Sequence, residues 1–458
     1  MSSLLSVKGI TDFLYGHAPQ PVTCGRGITI GAGTVYPEIN FTLPTMDISA
    51  RTWPTVCEHY SSMVQAVVDR AVALEVPGVV VEFETLPPMT ENPRWGLEIT
   101  AILGDCLRKA HDKHGLKSAL RLTPNDTREF LRPPVMRSGK YWDGMVEFFD
   151  GAAEAGADMI AIESTGGKEV CDEALMNADL RMVVFALGVL GARDMAFLWK
   201  TIVASCQRQG IVPSGDTACG FANTAMVLAE QKMIPRLFAA VVRVASVPRS
   251  LVAYTVGARG PSKDCAYEGP YMKALAGVPI SMEGRSAACA HLSPVGNIAQ
   301  SVCDLWSNES VQRVRLLSDF APVVSMEQLA YDCRLMNTAS CCGHADATKL
   351  RDWLTESDAS LDPQAYVLRP DVVLRLSERI AAEKTPYAQT VAAVRAAVDE
   401  LRWAFEDGRV RIAEREQSWI ALLEAQAEDL PETEEELIAE VMASGEARKF
   451  LPEQYGIG

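Results

Sequence analysis

The chain has 458 residues, 48% of them hydrophobic and 22% charged, with a formal net charge of −16. That length suits two or three average domains, or one large α/β barrel with extensions, and a core of that size needs no disulfides. No basic patch or aromatic-interleaved basic run occurs, which excludes nucleic acid as the expected partner.

The acidity is uneven. Residues 399–458 hold 16 acidic and 6 basic side chains, so −10 of the charge lies in this tail and −6 in the body. The N-terminal stretch MSSLLSVKGITDFLYGH lacks an apolar run of signal-peptide length. The longest apolar run, 182–192, is too short to span a bilayer. Twelve cysteines without a regular framework point to reduced thiols. These features predict a cytoplasmic protein with no membrane segment.

Taken in chain order, short apolar runs alternate with helical patterns. Strands are predicted at 27–33, 79–84, 119–124, 158–164, 183–189, 210–215, 251–256 and 278–283, the fifth being equally readable as helix. Helices are predicted at 60–75, 94–113, 140–154, 194–208, 221–232, 235–246 and 266–276. Eight strands over this span match a TIM (β/α)8 barrel. A doubly wound sheet is the runner-up, but GAGTVYP at 31–37 puts Tyr36 where the third glycine of a dinucleotide turn belongs. The barrel is assigned to residues 1–310 with an N-terminal extension. Residues 311–458 form an additional helical region packed on it, ending in an acidic tail with a helix start near Leu430–Pro431.

Chemistry in such a barrel sits at the C-terminal ends of the strands. Cys219 follows the strand at 210–215, Cys265 follows the one predicted at 251–256, and Glu163 ends the one at 158–164. Two thiols and a carboxylate suit Zn²⁺, and three protein ligands leave a position open for a reactant. The competing reading makes each cysteine a small buried hydrophobe. Two rival sites are weaker: Cys341, Cys342 and His344 in SCCGH, and a cysteine–histidine pair using His291. With six histidines, none four residues apart, and no CxxC pair, HExxH and ribbon-type zinc sites are absent.

The segments VEFETLPPMT (81–90), MIAIESTGGKE (159–169), GDTACGFANTAMVLAEQ (215–231) and GARGPSKDCAYEGPYMKA (257–274) resemble the methanol–corrinoid methyltransferase family, the zinc subunit of the methanol:cobalamin system. The resemblance runs through nearly the whole chain. It implies a TIM barrel with added helices, zinc on Glu163, Cys219 and Cys265, and a separate corrinoid protein as partner. It also implies methyl transfer from methanol to Co(I), and a homodimer carrying two corrinoid partners. The alternatives are a related enzyme using another methyl donor, such as a methoxylated aromatic, and a non-catalytic scaffold. Expelling hydroxide from methanol calls for a cation on the oxygen and a nearby acid. Asp216 is the candidate proton donor, with Glu84, Asn125 and Asp126 behind it; caps and turns explain these residues equally well. The corrinoid itself is not expected on this chain, because DKHGLK lacks the glycine of an Asp-x-His-x-x-Gly motif.

Overall fold

Nine strands organise the barrel and its floor: β1 (His17–Cys24), β2 (Ile28–Ala32), β3 (Tyr36–Thr42), β4 (Val79–Glu84), β5 (Ser118–Thr123), β6 (Met159–Ile162), β7 (Val212–Asp216), β8 (Ser281–Glu283) and β9 (Leu305–Val311). They come from a computed structural model that describes residues 5–43, 46–264, 267–311 and 314–458. Seven strands form one parallel sheet in the order β7-β6-β5-β4-β3-β9-β8. The gap between β7 and β8 is bridged by an irregular segment rather than an eighth regular strand. Arg259 N and Gly260 N donate to Pro213 O and Ser214 O at 2.8 and 2.7 Å, and Ser262 N donates to Pro279 O at 3.1 Å. The curled sheet with its helices is a TIM-barrel fold.

This corrects several predicted elements. The run at 27–33 is not a barrel strand; β2 pairs antiparallel with β1 in a hairpin. The run at 183–189 is helical, inside a continuous helical stretch Leu180–Gln209. The run at 251–256 is helix Val247–Thr255, and the irregular segment after it takes the strand's place. Two barrel strands, β3 and β9, went unpredicted. β3 places Glu38 and Asn40 on interior positions, and β9 runs through four consecutive polar residues at 307–310, which hides both from a search for apolar runs. The predicted helices at 60–75, 94–113, 140–154, 194–208, 235–246 and 266–276 all form, with shifted ends.

Strand alternation divides the barrel in two. On β4, Val79, Val81 and Phe83 join the core under the surrounding helices, while Val80, Glu82 and Glu84 alternate with them. At the N-terminal end of the barrel Tyr36, Val80, Ala119, Met159 and Leu305 make an apolar layer, closed by Cys24, Ile28 and Ile30 of the hairpin. The hairpin turn fits tightly. Gly25 has φ +52°, and a Cβ there would lie 2.3 Å from Ser118 O.

C-terminal helix Pro386–Glu406 packs on Arg236–Ala245 and Val247–Thr255, and helix Ala321–Cys342 packs on β3, β9 and Trp53–Ala73. The acidic tail is tied back by Arg181 to Asp429 (2.6 Å), Arg193 to Glu434 (2.8 Å) and Lys449 to Glu173 (2.6 Å). Its helix Glu434–Ala443 is capped by Thr433 with Glu436 in a reciprocal box, a little past the predicted start. Among the described residues two helical stretches, Leu180–Gln209 and Arg236–Thr255, are long and apolar enough to cross a membrane. Their apolar windows are 78% and 89% buried inside the protein, as core helices are.

Candidate active site

Above the apolar floor the barrel interior turns polar. Arg121 of β5 and Glu38 of β3 are fully buried and paired at 2.8 Å. Arg121 Nη1 also donates to Ser262 O at 2.6 Å. Glu82 Oε1 accepts from Thr123 Oγ1 at 2.6 Å. An isolated buried ion costs several kcal/mol, so this layer persists only because its members are paired.

At the C-terminal mouth the charges concentrate around Lys263, from the irregular segment. Its Nζ lies 3.3 Å from Glu82, 3.4 Å from Glu84, 3.3 Å from Glu163 and 2.5 Å from Asp264. Asn40 Nδ2 donates to Glu84 at 3.1 Å, and Ser307 Oγ donates to Asp264 at 3.0 Å. Burial alone would lower the Lys263 pKa, but Asp264, Glu82, Glu84 and Glu163 together raise it well above the usual lysine range. Burial pushes Glu163 up to about 7; Lys263 opposes the shift, while Glu84 and Asp264 add to it. Burial likewise raises Glu82, with Asp264 adding to the effect. One ammonium faces four carboxyl groups here, and the upward shifts of Glu82 and Glu163 mean that protonation relieves part of their mutual repulsion.

The predicted residues distribute as follows. Glu163 directly follows β6, and its side chain keeps 27% exposure toward the mouth. Cys219 opens the helical turn Cys219–Asn223 beyond β7, half-buried against Ala222, Met226 and Tyr267. Cys265 lies outside the described residues. Asp216 ends β7 and is buried. Its oxygens accept from Trp199 Nε1 (3.0 Å), Thr217 N (2.8 Å) and Ser164 N (3.3 Å), and Arg249 stands 3.6 Å away. Asp126 is locked to Arg128 at 2.8 Å; burial would raise its pKa, but Arg128 holds it below the usual range. Asn125 donates its backbone N–H to Thr85 Oγ1. His291 faces Glu283 and Glu309 at 3.7 and 3.9 Å. Cys341 and Cys342 are exposed at the end of a helix.

Among the described residues no group of three or more His, Cys, Asp or Glu side chains is arranged to hold a metal ion. The fit of Glu163, Cys219 and Cys265 to a cation therefore rests on donor chemistry and charge. A carboxyl crowded by other carboxyls, with a half-buried thiol at the end of the neighbouring strand, is a donor set that suits a borderline-soft cation. Sequence reasoning missed Lys263, Asp264, Glu82 and Arg121. The Glu-x-Glu alternation in VVVEFE and the charged pair just before Cys265 were the available signals.

The fold and site define a TIM-barrel protein with a cluster of acidic side chains gathered around Lys263 at its C-terminal mouth. The family profile described as methanol-cobalamin methyltransferase B subunit matches residues 2–456, and the chain belongs to that family. It is 35% identical over 452 residues, 97% of this chain and 96% of the relative, to a methanol–corrinoid protein co-methyltransferase of Methanosarcina barkeri strain Fusaro. The crystal structure of the methanol:cobalamin methyltransferase complex MtaBC from Methanosarcina barkeri contains a chain that superposes with a TM-score of 0.93. That chain is 32% identical, with 99% of each chain covered.

Proposed function

We propose that this protein takes the methyl group of methanol and passes it to the Co(I) corrinoid of a separate protein docked over the barrel mouth. The observation that carries this reading is the ring of Glu82, Glu84, Glu163 and Asp264 around Lys263 at the functional end of a barrel of this family. The balanced reaction is methanol plus Co(I) plus a proton, giving methyl-Co(III) and water. Glu163, Cys219 and Cys265 would hold a zinc ion. When bound, zinc supplies Lewis acidity that stabilises the charge developing on the departing oxygen.

The chain's own residues do the rest. The packed floor keeps water from entering the barrel from below. Lys263 spreads positive charge under the carboxylates, so Glu163 need not bear full repulsion from Glu84 and Asp264. The departing oxygen must gain a proton. Asp216 has its oxygens already engaged by an indole N–H and two backbone amides, with a guanidinium 3.6 Å away. Glu84 is partly exposed at the mouth and is a second candidate to deliver that proton.

The test is methyl transfer with purified protein, methanol and Co(I) cobalamin, followed by the change in visible absorbance as methyl-cobalamin forms. C219A should lose about a thousand-fold in rate, the scale of several kcal/mol of Lewis-acid stabilisation, and should lose bound zinc. Conversion of a methoxylated aromatic but not methanol would reassign the donor. Zinc-free wild-type protein, with C219A unimpaired in supporting the partner, would make the barrel a scaffold.

A further inference from the structure

The three proposed ligands sit on three different loops, and one buried helix reaches all of them. Helix Val247–Thr255 carries Arg249 and Ser250, both fully buried. Arg249 Nη2 donates to Ser164 O at 2.6 Å and Ser164 Oγ at 2.5 Å, on the residue after Glu163. Arg249 Nη1 donates to Thr217 O at 3.4 Å, two residues before Cys219. Its guanidinium also lies over the Phe221 ring at 4.6 Å, inside the turn that Cys219 opens. Ser250 Oγ donates to Glu268 Oε1 at 2.6 Å, three residues beyond Cys265 in the chain. The same Glu268 oxygen accepts the backbone N–H of Ala218 at 2.7 Å, the residue before Cys219.

We infer that Arg249, Ser250 and Glu268 form a clasp beneath the mouth that presets the three ligand-bearing loops for a metal ion. The inference rests on the zinc reading above, and these are positioning residues, since none touches the reactant. Two features separate the clasp from ordinary core packing. Glu268 is 2% exposed, so each of its bonds is made without competition from water. Its one oxygen accepts from both Ala218 N and Ser250 Oγ, so it ties the turn that Cys219 opens to the buried helix and to the chain that follows Cys265 in sequence. Groups that orient metal ligands from behind contribute to affinity on the scale of 10- to 100-fold. Loops held in place before binding lose less entropy when the ion arrives.

The experiment measures Zn²⁺ affinity by competition with a chelator, using full-length wild type, S250A, E268A and E268Q. The melting temperature of each metal-free protein is recorded in parallel. E268A should bind zinc about 10-fold or more weakly. S250A, which deletes one hydroxyl and is the gentler change, should fall between E268A and wild type. E268Q keeps the shared acceptor oxygen and should stay near wild type. A merely structural role would lower the melting temperatures while leaving the affinity of the folded protein unchanged. Affinities of S250A and E268A equal to wild type overturn the clasp and leave the metal reading standing. E268Q as weak as E268A overturns the role given to the shared acceptor. Wild type that binds no zinc overturns the metal reading, and the clasp with it.

Discussion

The two ends of this barrel are built from the same strands and obey opposite rules. The N-terminal end is an apolar plug: Tyr36, Val80, Ala119, Met159 and Leu305 meet Cys24, Ile28 and Ile30 of the hairpin. Two residues further along four of these five strands stand Glu38, Glu82, Arg121 and Ser307, all buried, and only β6 stays apolar, with Ala161. The first arrangement gains free energy by removing apolar surface from water. The second starts from a desolvation deficit that pairing must offset. The difference teaches where the fold stores stability and where it gives stability up. A closed floor holds the barrel together, so the mouth can carry a charge arrangement that would be untenable by itself.

The largest effect should come from upsetting the charge balance at the mouth. K263M removes the ammonium shared by four carboxylates and leaves them uncompensated. Denaturant unfolding should show a loss of about 3–5 kcal/mol, the range for stripping one partner from a buried ion pair. A neutral K263M would mean that the carboxylates are held by something other than Lys263, and the contrast between the two ends would weaken. The floor gives the complementary result. I30A truncates a fully buried side chain in the hairpin seal. It should cost about 2–5 kcal/mol through lost burial and a cavity. Its methyl-transfer rate, measured where the protein is still folded, should match wild type. An I30A variant with a slowed rate would show that the floor does more than close the barrel.

The same contrast explains what was legible in the sequence. Barrel strands bounded by apolar residues, such as VVVEFE and ALRLTP, could be recognised. β3 (YPEINFT) and β9 (LWSNESV) could not, because Glu38, Asn40 and Ser307 are buried polar residues where a sequence reading assumes apolar ones, and β9 is polar at four consecutive positions, 307–310. The runs at 183–189 and 251–256 failed in the opposite sense. They are apolar enough for strands, but they are buried helices, and a short apolar run carries no period that separates the two. The expected count of eight strands therefore came from a partly wrong membership. Glu163 and Cys219 were found because their signal is local, a reactive side chain just past a strand. Lys263 and Glu268 were invisible because their roles depend on which loops meet in space. Cys265 was linked to a strand at 251–256 that is a helix, although the irregular segment at 259–262 does fill that place in the barrel.

A smaller effect should appear at the rim of the mouth, where the comparison becomes a dependence on pH. Glu283 ends β8 and is nearly buried. Burial pushes its carboxyl up to about 7; Asp264 adds to this, while His291 and Lys263 oppose it. His291 is shifted upward by its hydrogen bond to Glu309, against burial and with help from the Glu283 and Asp264 charges. In the unfolded chain a glutamate titrates near 4.3. Between that value and about 7, the folded protein therefore holds a proton at Glu283 that the unfolded chain has released. Stability must then fall as the pH rises through this window. The histidine acts in the same direction: its contribution is complete below its unfolded pKa and is lost as pH rises through the raised folded value. His291 is 32% exposed, so solvent screening keeps its share small. The metal-free protein should lose on the order of 2 kcal/mol between pH 5 and pH 7.5, the scale of a one- to two-unit shift. E283Q should reduce that slope, leaving the part that Glu163, also pushed up to about 7, contributes in the same direction, whereas I30A should shift the whole curve down without changing its shape. A slope unchanged by E283Q would place the titrating groups elsewhere in the mouth. A slope that disappears in I30A would show that the two ends of the barrel are not independent.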